Sequence, residues 1–186
     1  MLTGLQKSKQ VGFEPIKINM LLMKGINDDE IIDLATFCLE HNFALRFIET
    51  MPIGASGREA YQHFLNLDVV RETLARHFDL IPSVMAGGGP ARYVRVNGTD
   101  THFGFITPLS QHFCATCNRV RLSADGTLHL CLGNSHNFAL RPHLRQGISD
   151  QGLKDLILEA LKLKPWQHNF ADSPDQVARN MAMTGG

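Results

Sequence analysis

Three of the four cysteines in this 186-residue chain fall in one stretch, as Cys114, Cys117 and Cys131, a C-x2-C-x13-C pattern. Thiolates so spaced suit a soft metal centre. Zinc would close a tetrahedral Cys3His set, with His112, His129 or His136 as fourth ligand. An iron–sulfur cluster would take three thiolates and leave one iron open. His129 lies two residues before Cys131, so both can face one side of a strand. The spacing leaves both metals open. Between the ligands stand Arg119 and Arg121, whose alternation puts both guanidinium groups on one strand face. Such a pair is a fork for phosphate or carboxylate. Lys17 sits in the otherwise apolar run Glu14–Met23, where a buried ammonium needs an anionic partner: a ligand, or Glu14 or Glu49.

The elements that must position these groups read as two kinds. Glu14–Met23 is a continuous apolar strand of the kind buried on both faces. Asn27 is a helix N-cap followed by Asp28, Asp29 and Glu30, and Ile31, Leu34, Ala35, Cys38 and Leu39 then repeat at helical spacing. Cys38 belongs to that stripe and reads as core. Ala44–Met51 is a second strand; a loop holds Pro52, Gly54, Ser56 and Gly57. A helix over Leu67–Phe78 turns Val69, Val70, Leu74 and Phe78 inward. Strand–helix alternation implies a parallel sheet or barrel, yet two such units cannot close one.

After Gly87-Gly88-Gly89-Pro90 the pattern changes to short runs at Ala91–Val96, Thr101–Thr107, Asn118–Ser123 and Thr127–Leu132. These are expected to form a small antiparallel sheet, with an Asp125-Gly126 hairpin turn carrying Cys131 back toward Cys117. Helices at Phe138–Arg145 and Ser149–Leu163 complete it, the second burying Leu153, Leu156, Ile157, Ala160 and Leu161 before Pro165 ends it. The fold class is therefore α/β followed by a small α+β part, divided as 1–86 and 87–186.

Composition bounds the function. With 44% hydrophobic and 19% charged residues the chain is globular, and at this length it buries about 70% of its unfolded surface without disulfide staples. Eighteen basic residues against eighteen acidic leave no global excess for nucleic acid. Charged residues interrupt every apolar window and no export signal opens the chain, so a cytoplasmic protein with reduced thiols is expected and a membrane is not. The neutrality is uneven. Residues 27–50 carry six acids against Arg46, whereas 111–147 carry four arginines against Asp125. The cysteine-bearing part is thus the one suited to an anion.

C-A-T-C-N-R-V-R-L-S-A-D-G, followed by the third cysteine and L-G-N, resembles the C-terminal part of the GTP 3′,8-cyclase (MoaA) family of molybdenum-cofactor biosynthesis. I-K-I-N-M-L-L-M-K-G-I-N-D-D-E-I, L-R-F-I-E-T-M-P-I-G, G-G-G-P-A-R-Y, K-P-W-Q-H-N-F and the final Gly185-Gly186 fall where that family has such segments. The resemblance implies a lyase of the radical S-adenosylmethionine type acting on GTP, with two [4Fe–4S] clusters at the ends of an incomplete TIM-like barrel. It implies that Cys114, Cys117 and Cys131 hold the C-terminal cluster, that Arg119, Val120, Arg121, Lys17 and Arg46 contact GTP, and that Met51 lies beside S-adenosylmethionine. The Gly-Gly tail would reach the active site. One departure matters: the N-terminal C-x3-C-x2-C of the first cluster is absent. The chain is then expected to be the last βα units of the barrel, 1–86, plus the cluster- and GTP-binding domain, 87–186. It would depend on the missing N-terminal half, from the same longer chain or a separate one, and its apolar edge admits a homodimer. The alternative is a non-catalytic, zinc-stabilised binding module with a basic face for an acidic partner.

Overall fold

The computed structural model describes residues 2–87, 89–111, 113–168 and 170. It divides into two compact units: one takes Met1–Thr50 and His63–Ser110, the other Met51–Gln62 and the described chain from Gln111 onward. The Gly185-Gly186 tail lies outside the described residues.

The first unit is a mixed five-stranded sheet with helices on one face. After α1 (Leu2–Gln10), β1 (Lys17–Leu22) runs parallel to β2 (Ala44–Glu49) through α2 (Ile31–His41). After α3 (Gly54–Tyr61), which belongs to the other unit, the chain adds α4 (Leu67–Ala75), β3 (Leu80–Ser83), β4 (Arg92–Val96) and β5 (His102–Ile106), and the strand order is β1-β2-β5-β4-β3. β5 pairs parallel with β2 and antiparallel with β4.

Alternation decides which face is core. Met20, Leu22, Leu45, Phe47, Val94, Phe103 and Phe105 point one way and pack with Ile31, Ala35, Cys38, Val70 and Leu74 of the helices, all buried. Phe47 stacks on Phe105 at 5.9 Å and Phe78 meets Phe103 edge-on at 5.5 Å. The opposite face carries Lys17, Asn19, Leu21, Arg46, Ile48 and Tyr93 and is only partly shielded, with Leu21 at 43% exposure.

The second unit holds α3 (Gly54–Tyr61) and a three-stranded antiparallel sheet of β6 (Arg121–Leu122), β7 (Thr127–His129) and β8 (Asn137–Ala139). α5 (Arg141–Arg145) and α6 (Asp150–Lys162) follow. Its core is Leu128, Leu130, Leu140 and Ala160, flanked by Phe138, Leu153, Leu156 and Ile157. The Ser149 hydroxyl accepts from the Gly152 amide and caps α6.

Several expectations are corrected. The runs at 91–96 and 101–107 join the first sheet, not the second, because the two phenylalanines of β5 alternate into the first core and Asn97-Gly98 folds β4 back on β5. The expected 86/87 division therefore falls inside a sheet, between β3 and its partner β4. Asn27 does not cap α2; its Oδ1 accepts from the Met23 amide and its Nδ2 donates to Leu21, fastening the turn, and the helix starts at Ile31 after Glu30. The stretch expected as loop after Met51 contains α3, Gly54–Tyr61, whose Gly and Ser residues concealed it. The expected helix at Phe138–Arg145 is shorter, since Pro142 fits only a first turn and Phe138 pairs with Leu128 on β7 instead. Val69 and Leu161 face solvent, at 49% and 36% exposure.

Candidate metal and anion site

In the second unit the cysteine region is built by a turn and a hairpin. Cys114–Thr116 forms a 3-10 turn closed by the Cys117 amide donating to the Cys114 carbonyl at 3.0 Å. The hairpin runs through Ser123–Gly126: the Ser123 amide donates to Thr127 O (3.0 Å), the Gly126 amide to Ser123 O (2.9 Å), and the Ser123 hydroxyl to Asp125 Oδ1. Gly126 sits at φ +80°, which an L side chain rarely adopts. Arg121 pairs with His129 across the hairpin, so the returning strand brings Cys131 toward the C-x2-C limb, as the sequence suggested.

The electrostatics make one constellation of these groups. Burial pushes the Cys131 thiol up, the backbone at Gly133 and the Lys164 ammonium pull it down, and the Cys114 and Cys117 thiols raise it further. Burial and then the like charge of Arg119 lower the Arg121 guanidinium, while Cys117 and Cys131 raise it. Two half-buried arginines that repel each other beside three thiols favour an anion, which relieves the repulsion and restores lost solvation. Val120 between them is 37% exposed.

As the side chains stand, no three His, Cys, Asp or Glu groups among the described residues converge on one ion. The donor set nevertheless fits a thiolate-held cluster in kind: three soft sulfur donors, two from one turn and the third returned by the hairpin. It suits Cys3His zinc less well. His129 is buried and its Nε2 is 3.0 Å from the Ser123 hydroxyl, inside the hairpin. The His136 ring engages the Asn134 carboxamide, and His112 lies outside the described residues.

The first unit places Lys17 and Arg46 on the open face of its sheet, on adjacent strands: Lys17 is in register with Ala44, and Asn19 with Arg46. Lys17 makes no ion pair with Glu14 or Glu49 among the described residues; the buried Glu49 carboxylate accepts instead from the Leu109 amide (3.0 Å), the Ser110 amide (3.1 Å) and the Ser110 hydroxyl. The Arg46 Nε donates to Asn19 Oδ1 at 2.7 Å. On its other side Arg46 leans over Gly104, where an added Cβ would meet its Cγ at 3.1 Å and the Tyr93 ring at 2.6 Å. Arg46 is thus tethered through its Nε to Asn19, with its stem close to Gly104. Met51 follows β2 and is half-buried; its carbonyl accepts from Ile53 and lies where a Cβ on Gly57 would come within 2.7 Å.

Residue type and spacing do not single out Asn19, Glu49 as a clamp, or Lys164. Glu49 had a signal, an acid ending an apolar strand. Asn19 had one in its i+2 spacing from Lys17. Lys164 had only its place in K-P-W-Q-H-N-F. That segment meets L-G-N directly, since a Cβ on Gly133 would lie 2.7 Å from both the His168 Cβ and the Phe170 ring.

Residues 43–170 match the family model described as Molybdenum Cofactor Synthesis C. The chain is 44% identical over 190 residues to a GTP 3′,8-cyclase of Pseudomonas entomophila (strain L48), covering all of this chain and 57% of that protein. It is 44% identical over 189 residues to GTP 3′,8-cyclase 1 of Pseudomonas aeruginosa PAO1, and 42% over 193 to a GTP 3′,8-cyclase of Marinobacter nauticus, with the same coverage. The chain spans little more than half the length of these relatives.

Proposed function

The chain belongs to the Molybdenum Cofactor Synthesis C family, and on that premise we propose that it is the GTP- and cluster-binding part of a GTP 3′,8-cyclase. The complete lyase would convert GTP to 3′,8-cyclo-7,8-dihydroguanosine triphosphate in the cytoplasm. The observation that carries the reading is the hairpin that pairs Arg121 with His129 and so returns Cys131 towards the Cys114–Cys117 turn, with Arg119 and Arg121 on the intervening limb.

Cys114, Cys117 and Cys131 would hold a [4Fe–4S] cluster, which when bound supplies an open iron for a nitrogen or oxygen of the purine. Arg119 and Arg121 bind the triphosphate, with Val120 against the nucleoside. Lys17 and Arg46 add cations from the open sheet face, and Met51 contacts S-adenosylmethionine. The radical-generating cluster and its C-x3-C-x2-C ligands would come from the portion by which the relatives exceed this chain. The first sheet is then the closing part of an incomplete barrel. Its parallel strands β1 and β2 leave Lys17, Asn19, Leu21 and Arg46 on a face without helices, which further strands and a ligand would shield.

Iron, sulfide and zinc content after anaerobic reconstitution tests the reading, together with GTP binding. About four irons and four sulfides per chain are expected. Arg119→Ala and Arg121→Ala should each weaken GTP binding by roughly 1.5–3 kcal/mol, the range for a charged hydrogen bond. Stoichiometric zinc under iron-replete anaerobic expression, with metal lost in His129→Ala and no GTP bound, would establish the zinc-stabilised module instead.

A further inference from the structure

Where the ladder between β6 and β7 stops, a lysine takes over. Arg121 pairs with His129 and Leu122 with Leu128, and no strand pairing follows toward the cysteines. At that point the Lys164 ammonium reaches in from beyond α6. It donates to the Arg119 carbonyl at 2.9 Å and to the Leu130 carbonyl at 2.6 Å. Leu130 immediately precedes Cys131, and Arg119 stands two residues after Cys117. The two carbonyls therefore belong to the two limbs that carry the thiols. Both bonds join parts of the chain 34 and 45 residues away from the lysine.

A surface lysine keeps its charge in water; this one is half-buried and spends two donors on backbone oxygens. The lysine is delivered by a defined element. α6 is capped at Ser149, its Ala160 is buried in the core of the unit, and the Lys164 amide still bonds the helix at the Leu161 carbonyl, 3.1 Å. Pro165 then bars helical continuation. Helix end and hairpin are thus joined by one side chain where the hairpin has no ladder bond of its own.

We infer that Lys164 is a positioning residue that clips the Cys117 limb to the Cys131 limb and sets the spacing of the three thiols before any metal arrives. The inference rests on the reading of those thiols as one metal-binding set. Both of its bonds go to backbone carbonyls on either side of the ligands, so its proposed action runs through the backbone. Outer partners of this kind commonly change metal affinity about 10- to 100-fold when removed.

The test uses the full 186-residue chain, metal-free and reconstituted. In the metal-free chain a short bis-alkylating bimane should bridge Cys131 to Cys114 or Cys117, read by peptide mass spectrometry. Lys164→Met should lower that bridging several-fold while near-UV circular dichroism stays native, and Lys164→Arg, which can still donate to both carbonyls, should restore it. After reconstitution, Lys164→Met should release iron to a chelator about 10- to 100-fold faster than wild type. Lys162→Met, on the exposed pair with Glu159, should change neither readout. If Lys164→Met perturbs the native spectrum, Lys164→Gln, polar but one bond too short to span both carbonyls, carries the same measurements. Unchanged bridging and unchanged iron release overturn the inference. A wild-type chain that takes zinc rather than iron, yet loses bridging in Lys164→Met and regains it in Lys164→Arg, keeps the clip and discards the iron–sulfur reading.

Discussion

At the scale of single residues, the four cysteines divide by environment. Cys38 has no exposed surface, and burial pushes its thiol up to about 12 from an ordinary 9.0. Cys114, Cys117 and Cys131 are half-buried and lie beside arginines and a lysine. Alkylation of the native metal-free chain at neutral pH should therefore modify those three and spare Cys38; labelling of Cys38 at a comparable rate would contradict its place in the core. Its raised value also sets a pH dependence. The folded state keeps the proton where the unfolded chain has lost it, so this contribution is complete below about pH 9 and is lost as pH rises toward 12. Thermal melts between pH 8 and 10.5 should fall more steeply for wild type than for Cys38→Ala. Gly104 is the second case. A methyl there would overlap the Tyr93 ring and crowd the Arg46 stem, so Gly104→Ala should cost about 1–3 kcal/mol in denaturant unfolding. It should also weaken any anion that Arg46 holds. Wild-type stability in Gly104→Ala would mean that the ring moves aside freely.

At the scale of elements, the hairpin that returns Cys131 depends on Asp125 and Gly126. The Ser123 hydroxyl, then Thr127, hold the Asp125 carboxyl below its ordinary 3.8. The depressed value means the stabilising contribution is present above about pH 4 and disappears as pH falls through the folded value. Asp125→Asn should therefore flatten the acid limb of the stability profile, and an unchanged limb would show that the turn does not use the charge. What the sequence revealed about these elements follows the range of the forces involved. The hairpin, α2 and α6 are local: Asp-Gly at the turn, a 3.6-residue stripe, Ser149 before Asp150. The sheet membership of β4 and β5 is not local. It depends on Phe103 and Phe105 meeting Phe47 and Phe78 from distant positions, which alternation alone does not assign to one sheet or another. Asn27 shows the converse: a side chain suited to capping a helix served a turn, because Met23 and Leu21 offered nearer backbone partners. In the candidate site the thiols and arginines were legible from type and spacing. Lys164, Asn19 and Glu49 act by reaching backbone or side chains far along the chain, and spacing carries no record of that.

At the scale of the whole molecule, the first sheet ends at β1, whose outer backbone groups pair with no strand among the described residues. Three of its six residues, Lys17, Asn19 and Leu21, also lie on the face without helices. Edges of this kind are normally paired, covered or blunted by charge. β1 has one lysine at its start and then I-N-M-L-L, so charge does little to blunt it. On the proposed reading further strands would cover it, supplied by the portion by which the matched relatives exceed this chain, which covers 57% of them. The edge should then respond when the remaining portion of a relative is supplied as a separate chain. Amides of Lys17–Leu22 that do not bond β2 should exchange quickly in the isolated chain and slow at least ten-fold in the mixture, whereas amides of β7 should not change. Equal exchange in both samples would sink the account of β1 as a strand awaiting its neighbour. Slowing that already occurs in the isolated chain, and scales with its concentration, would make the neighbour a second copy.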